Sequence, residues 1–187
     1  RAQIRRAQRD FGELSVEVAA DLRHAFDIYD ELVALHQDHW QRRGQPGAFA
    51  NTFFDAFHRR LITNRLADRE IQLVRVRAKG TTIGCLYNLV SRGRVLFYQS
   101  GFPQFESPRA KAGYVVHAEA IRLNAAAGHS VYDLLAGEDR YKQNLATDTS
   151  PLVWARIQRP LMRFTAEDRL RSWKHRLSRI VAAAISQ

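Results

Sequence analysis

The chain has 187 residues, of which 45% are hydrophobic and 26% charged, enough for one sizeable domain with an apolar core. This composition excludes wholesale disorder, a collagen-like repeat and, with Cys85 as the single cysteine, any intramolecular disulfide framework. Twenty-nine basic residues against 19 acidic ones give a net charge of +10, which suits nucleic acid, anionic lipid or a polyphosphate ligand without choosing among them.

The basic run Arg5-Arg6-Ala7-Gln8-Arg9 lies in helix-compatible sequence. Alternation from Phe11 to Ala20 predicts a half-buried strand. Asp21 is an N-cap for a long helix with the stripe Leu22, Phe26, Tyr29, Val33, His36 and Trp40, stopped at Gly44 and Pro46. Asn51 or Thr52 caps a second helix whose expected inner face is Phe53, Phe57 and Leu61. Three strands follow, 71–78, 82–90 and 94–100, joined by tight turns at Lys79-Gly80 and Arg92-Gly93. Ser107-Pro108 opens a helix that Gly128 ends near Ala127. A short strand is expected from Ser130 to Leu135, a short helix from Glu138 to Leu145 and another strand from Leu152 to Gln158. A last basic helix, 165–186, carries the apolar stripe Leu170, Trp173, Leu177, Ile180 and Ala184.

An antiparallel meander followed by a strand-helix-strand crossover implies a mixed, mostly antiparallel α/β sheet flanked by helices, here with an extra C-terminal helix. There is no G-x-x-x-x-G-K-[ST] loop and no Gly-rich turn after the first strand. His36 and His39 share a helix face, but no H-E-x-x-H or cysteine pair accompanies them, so no metal is expected. The whole chain reads as a single domain with its core at about 13–158. Its start at Arg1, without Met, reads as trimmed or as part of something longer, and a cytoplasmic location is the default expectation.

The element order resembles the GNAT acyltransferase fold. Three segments sharpen the likeness: Leu35 to Gly44 with Gly47-Ala48-Phe49; Gly128 through Asp133-Leu134-Leu135-Ala136-Gly137; and Tyr141-Lys142. They resemble the CelD-like GNAT subgroup associated with polysaccharide biosynthesis, which is related to the FemABX aminoacyl transferases and often forms the C-terminal part of a chain about twice as long. The resemblance implies an acyltransferase that uses acetyl-CoA or another acyl-CoA as donor, and an amine acceptor that is sugar-linked in the CelD-like case. It leaves two alternatives open: a FemABX-like transferase using aminoacyl-tRNA, and a catalytically silent module that binds nucleic acid or anionic surfaces.

By that resemblance Tyr141 is the acid that protonates the leaving thiolate, and backbone N–H groups near Ser100 and Gly101 polarise the thioester carbonyl. The family's Gln/Arg-x-x-Gly-x-Gly/Ala turn is replaced here by Ser107 to Tyr114, with one glycine. A helix start still attracts phosphate, so Arg109, Lys111, Ala112, Gly113 and Tyr114 are the expected donor-phosphate contacts, with Lys142 as a further anion contact. Glu106, His117, Glu119 and Glu138 are the candidates for the amine base. Asp133 sits in an apolar run, so it is expected to be largely buried and hydrogen-bonded, with anchoring or a direct site role as its two readings. Phe97, Tyr98, Phe102 and Phe105 cluster in sequence where a substrate could enter or where the sheet core could pack.

Overall fold

The computed structural model describes residues 2–105, 111–137 and 139–153, and residues 155, 157, 159, 164 and 173 singly. The first compact unit spans residues 1–148; residues 149–187 form a second. In the first unit, α1 (Ala2–Phe11) precedes β1 (Leu14–Val18), α2 (Leu22–Gln41), α3 (Thr52–Arg65), β2 (Ile71–Ala78), β3 (Thr81–Ser91) and β4 (Arg94–Gly101), followed by α4 (Ala112–Ala126), β5 (Val131–Asp133) and α5 (Arg140–Leu145). The sheet order is β1-β2-β3-β4-β5, with the first four strands antiparallel and β5 parallel to β4. This is the mixed, mostly antiparallel sheet that the turn spacing implies. Among the described residues no helix is long and apolar enough to cross a membrane.

Local signals act as expected at most element ends. Lys79 (φ 50°) with Gly80 (φ 80°), and Arg92 (φ 50°) with Gly93 (φ 74°), place both central turn residues in the left-handed region. That geometry matches the twist of adjoining antiparallel strands. Asp21 accepts from the His24 N–H at 2.8 Å and caps α2, while Asn51 accepts from Phe53 and Phe54 and caps α3. Each cap satisfies N–H groups that the helix itself cannot.

The sheet is covered on both faces. Ala25, Ile28, Tyr29 and Leu32 of α2 and Ile62 of α3 pack on Leu73, Cys85 and Tyr87. On the other face Ala7 of α1 and Ala112, Val115, Val116 and Ala120 of α4 pack on Val74, Val76 and Leu86. Arg75 faces α2 with 6% of its surface exposed and bonds Glu17, Asp27 and Glu31. A buried guanidinium is tolerable because its donors are met by carboxylates.

Several expectations are corrected. The first strand is shorter than Phe11 to Ala20, because Phe11 ends α1 and Gly12 (φ 76°) breaks the chain there. The inner face of α2 is partly rotated: Tyr29 and His36 of the expected stripe are buried, but Leu22 is 41% and Trp40 36% exposed, and Ala25, Ile28 and Leu32 are buried beside them. On α3, Phe53 (76% exposed) and Phe57 (51%) point outward and His58 and Ile62 inward. The third long helix is described from Ala112, with Lys111 as its cap residue, and its expected opening at Ser107-Pro108 lies outside the described residues; the short fifth helix begins at Arg140 rather than Glu138. The strand expected at Leu152 to Gln158 is not formed at its described residues, Leu152, Val153, Ala155 and Ile157. Apart from the helical Trp173, the helix expected over 165–186 lies outside the described residues.

Candidate functional site

Strand β5 pairs with β4 only from Arg94↔Val131 to Leu96↔Asp133, while β4 runs on to Gly101. A register shift opposite Tyr87 and Asn88 leaves Tyr98 as an extra residue in β4, just past the last β5 pair. Such a bulge bends and twists its strand. Beyond it the edge of β4 has no partner in β5, and a cavity of about 390 Å³ opens beside it.

Three elements line this cavity. Ser100 and, in the following loop, Phe102, Pro103 and Phe105 form one side. Lys111, Ala112, Gly113, Tyr114 and His117 of α4 form the second, and Tyr141 of α5 the third. Of the expected site residues, the structure thus brings together Ser100, Lys111, Ala112, Gly113, Tyr114, His117 and Tyr141. Arg109, with the base candidates Glu106 and Glu138, lies outside the described residues.

The α4 start suits an anion. Among the described residues no side chain caps it, and the first N–H groups of a helix carry the partial positive charge of its end. The Lys111 ammonium lies 5.8 Å from the centre of the Tyr114 ring. A Cβ added at Gly113 would meet only the tip of the Phe102 ring, at 3.9 Å. Among the described residues nothing therefore demands glycine there, and its bare backbone would allow close approach by a ligand. Asn144 donates to the Tyr114 hydroxyl at 2.7 Å and ties α5 to α4.

His117 and Tyr141 meet face to face at the cavity wall, ring centroids 5.6 Å apart and planes 16° apart. Burial, with a smaller contribution from the Lys142 charge, lowers the His117 pKa to about 4, so the imidazole is neutral near pH 7. Burial and then the Asp139 charge push the Tyr141 phenol up to about 12, so it carries its proton. One group is thus a neutral hydrogen-bonding ring and the other a neutral proton donor.

Four expected site residues sit elsewhere. Gly101 packs against α2, where a Cβ would lie 2.5 Å from the Leu32 carbonyl oxygen; its lack of a side chain serves helix–strand contact. Lys142 donates to the Ala136 carbonyl at 2.5 Å and ties the β5–α5 loop to α5. The Asp133 side chain is 33% exposed rather than largely buried, pairs with Arg94 at 3.1 Å and accepts from the Leu135 N–H at 2.8 Å. It anchors the end of β5 and does not line the cavity. The Glu119 carboxylate accepts from Gln8 at 2.8 Å and pairs with Arg122, which binds α1 to α4. Of the four aromatics, Phe102 and Phe105 reach the cavity, Phe97 is buried against α4, and Tyr98 bonds His58 on the α2–α3 face.

The structure adds Gly84, which sequence reasoning passed over, and gives His36 a role that its place in the α2 stripe did not reveal. A Cβ at Gly84 would come within 2.6 Å of the Phe102 ring, so this glycine makes room for a cavity wall. A glycine inside an apolar strand was the available signal. His36 donates from Nδ1 to the Ser100 carbonyl at 3.2 Å and fixes the end of β4 from the opposite face. A carbonyl can only accept, so the His36 proton sits on Nδ1.

A family model described as Acetyltransferase (GNAT) domain matches residues 1–143. Among solved structures, an aminoglycoside acetyltransferase from an uncultured soil metagenomic sample, in complex with sisomicin, aligns with TM-score 0.52 and 12% identity over 78% of this chain and 95% of that one. The same enzyme in complex with trehalose gives TM-score 0.50 and 13% identity over the same shares. The C-terminal DUF2156 domain of a protein described as a lysylphosphatidylglycerol synthetase, from Agrobacterium fabrum, aligns with TM-score 0.47 and 16% identity. That alignment covers 71% of this chain but only 39% of that one. No curated protein matches significantly.

Proposed function

The chain belongs to the acetyltransferase (GNAT) domain family, and we propose that it moves an acyl group from acyl-CoA to an amine, with the donor seated in the cavity between β4 and β5. One observation carries this reading: a cavity joins a lysine-flanked helix start that no described side chain caps to a half-buried tyrosine that keeps its proton.

The N–H groups of Ala112 and Gly113, with Lys111, hold the donor's phosphates. The apolar walls at Phe102 and Phe105 cover its arm and exclude water. The thioester then lies along the unpaired edge of β4 near Ser100, where backbone N–H groups can polarise its carbonyl. As the amine nitrogen bonds the acyl carbon, the carbon–sulfur bond breaks and Tyr141 gives its proton to the departing sulfur. The amine's lost proton and the one that restores Tyr141 exchange with solvent. Glu119 is committed to Gln8 and Arg122 and is not the amine base.

The acceptor we infer is sugar-linked, and the place is the CelD-like subgroup of polysaccharide biosynthesis. What supports this is the Asp133 to Lys142 stretch together with Leu35 to Gly44, which resemble that subgroup. Calorimetric titration with acetyl-CoA, longer acyl-CoAs and tRNA in parallel tests the donor. Saturable binding of an acyl-CoA, weakened by Lys111→Ala and Gly113→Val, is expected. Binding of tRNA alone, or no acyl-CoA binding at millimolar concentration, overturns the reading.

A further inference from the structure

The Leu35 to Gly44 segment reaches the cavity through one backbone group. His36 is buried, and its Nδ1 donates at 3.2 Å to the carbonyl of Ser100, which lines the cavity. The rest of the segment holds that imidazole still. Gln37 Nε2 donates to the Pro46 carbonyl at 2.8 Å, and Gln37 Oε1 accepts from the Phe49 N–H at 3.2 Å. Phe49, so placed, meets the His36 ring edge-on, with centroids 5.0 Å apart. Gly101 seals the same contact from the strand, since a Cβ there would lie 2.5 Å from the Leu32 carbonyl oxygen.

The register shows which way Ser100 turns its backbone. In an antiparallel pair, residues that exchange hydrogen bonds with the facing strand alternate with residues that turn both N–H and C=O away from it. The two-residue turn at Arg92-Gly93 is closed by the bonded pair Ser91↔Arg94. Along β3 the bonded positions are then Ser91, Leu89, Tyr87 and Cys85, and Leu86 falls between them. Ser100 pairs with Leu86, so its N–H and its C=O both turn to the edge of β4 that β5 leaves unpaired. The Ser130 N–H donates to the Gly93 carbonyl on that same edge, in step with this alternation.

A strand edge therefore offers a thioester oxygen a donor and, on the same residue, a carbonyl whose negative end repels it. We infer that His36 is a positioning residue for the donor's thioester: its Nδ1–H occupies the Ser100 carbonyl, so that the Ser100 N–H is what the edge presents to the thioester oxygen. The inference rests on the donor-cavity reading for its ligand. It gives the Leu35 to Gly44 segment a task at the cavity although α2 lies on the other face of the sheet. Its effect is electrostatic and fixed before the donor arrives, which is how a backbone donor polarises a carbonyl most strongly.

The test is isotope-edited infrared spectroscopy of bound acetyl-CoA labelled with carbon-13 at the thioester carbonyl. His36→Phe, checked for folding by its melting curve, keeps a ring and loses the donor. It should move the carbonyl band to higher wavenumber, the sign of weaker polarisation, while affinity for CoA, which has no acyl group, stays that of the wild type. His36→Asn, whose amide N–H can take the place of Nδ1–H, should bring the band back toward its wild-type position. An unmoved band in folded His36→Phe overturns the inference, as does a loss of CoA affinity equal to the loss for acetyl-CoA. Nitrogen-15 NMR of histidine-labelled wild-type protein at pH 7 needs neither variant nor ligand: the Nδ1–H tautomer of His36 is expected, and the Nε2–H tautomer overturns the inference. An Nδ1–H His36 in a protein that binds neither acetyl-CoA nor CoA upholds the bond to Ser100 and defeats the donor reading, and the thioester role falls with it.

Discussion

The imidazole of His117 stacks on the phenol of Tyr141, 5.6 Å between ring centres and 16° from parallel, although the two residues come from different helices. The stack holds Tyr141 at the mouth of the β4–β5 divergence without a hydrogen bond between the two rings, since His117 Nδ1 meets the Tyr132 hydroxyl instead. Position comes from ring packing, and the proton stays available for chemistry.

Tyr141→Phe keeps this stack and removes only the proton. Turnover should fall 10²–10⁴-fold, the usual range for a lost general acid, while donor affinity measured by calorimetry stays nearly unchanged. The Tyr141 pKa of about 12 adds a pH corollary. The group is competent below that value, so the rate profile should show no alkaline fall from Tyr141 up to at least about pH 11.

Gly84→Ala should damage the cavity from beneath. The added methyl carbon falls 2.6 Å from the Phe102 ring and 3.0 Å from Val116 Cγ2, so the ring has to move. Overpacking of this kind costs about 1–3 kcal/mol. The expected signature is a lower urea midpoint together with weaker acyl-CoA binding. A variant of wild-type stability and affinity would show the contact to be soft.

Asp133→Ala should cost little. Its Arg94 partner is 50% exposed and its own side chain 33%, and pairs of that exposure contribute about 1 kcal/mol or less. The cap on the Leu135 N–H, at a residue with φ 58°, adds a contribution of similar size. Chemical denaturation should therefore give a loss of about 1–2 kcal/mol, with turnover retained. A turnover loss beyond tenfold would restore Asp133 to the site.

Acid should destabilise the protein before its carboxylates titrate. The folded-state pKa of His117 is lowered to about 4 from an unfolded value near 6.5, so the unfolded chain binds the proton first. The stability that this neutral imidazole contributes is complete above about pH 6.5 and is lost as the pH falls toward 4. From pH 7 to pH 5 that is about 2 kcal/mol. His36 and His58, also lowered by burial, act in the same direction. Glu17, lowered from 4.5, loses its contribution only at lower pH. Urea denaturation at pH 7 and pH 5 should show a difference that shrinks by about 2 kcal/mol in His117→Asn.

Much of the frame was legible in the residues because it is set locally. Turns at Lys79-Gly80 and Arg92-Gly93, caps at Asp21 and Asn51, and stops at Gly44 and Gly128 each depend on a few neighbouring dihedrals and hydrogen bonds. The antiparallel meander follows from those turns, because two residues can only fold a strand back on its neighbour. The stretch from Ser100 to Tyr141 also held seven residues that the structure gathers at the cavity.

Packing faces and the cavity itself were decided in three dimensions. Phe53 and Phe57 are as apolar as Phe54, but α3 can present only one side to the sheet, and His58 takes that side by bonding Tyr87 and Tyr98. Asp133 sits among apolar residues in sequence, yet its strand pairs on one edge only and leaves the carboxylate partly wet. The cavity exists because β5 stops pairing after Leu96↔Asp133 while β4 continues, a mismatch in strand length that neither segment reveals alone. Tyr132 gains its place beside His117 by the same pairing, through a contact that spans 15 residues. Short-range chemistry is written in the sequence; which side of an element meets another is a property of the whole sheet, since it is settled by competition for buried surface among segments far apart in the chain.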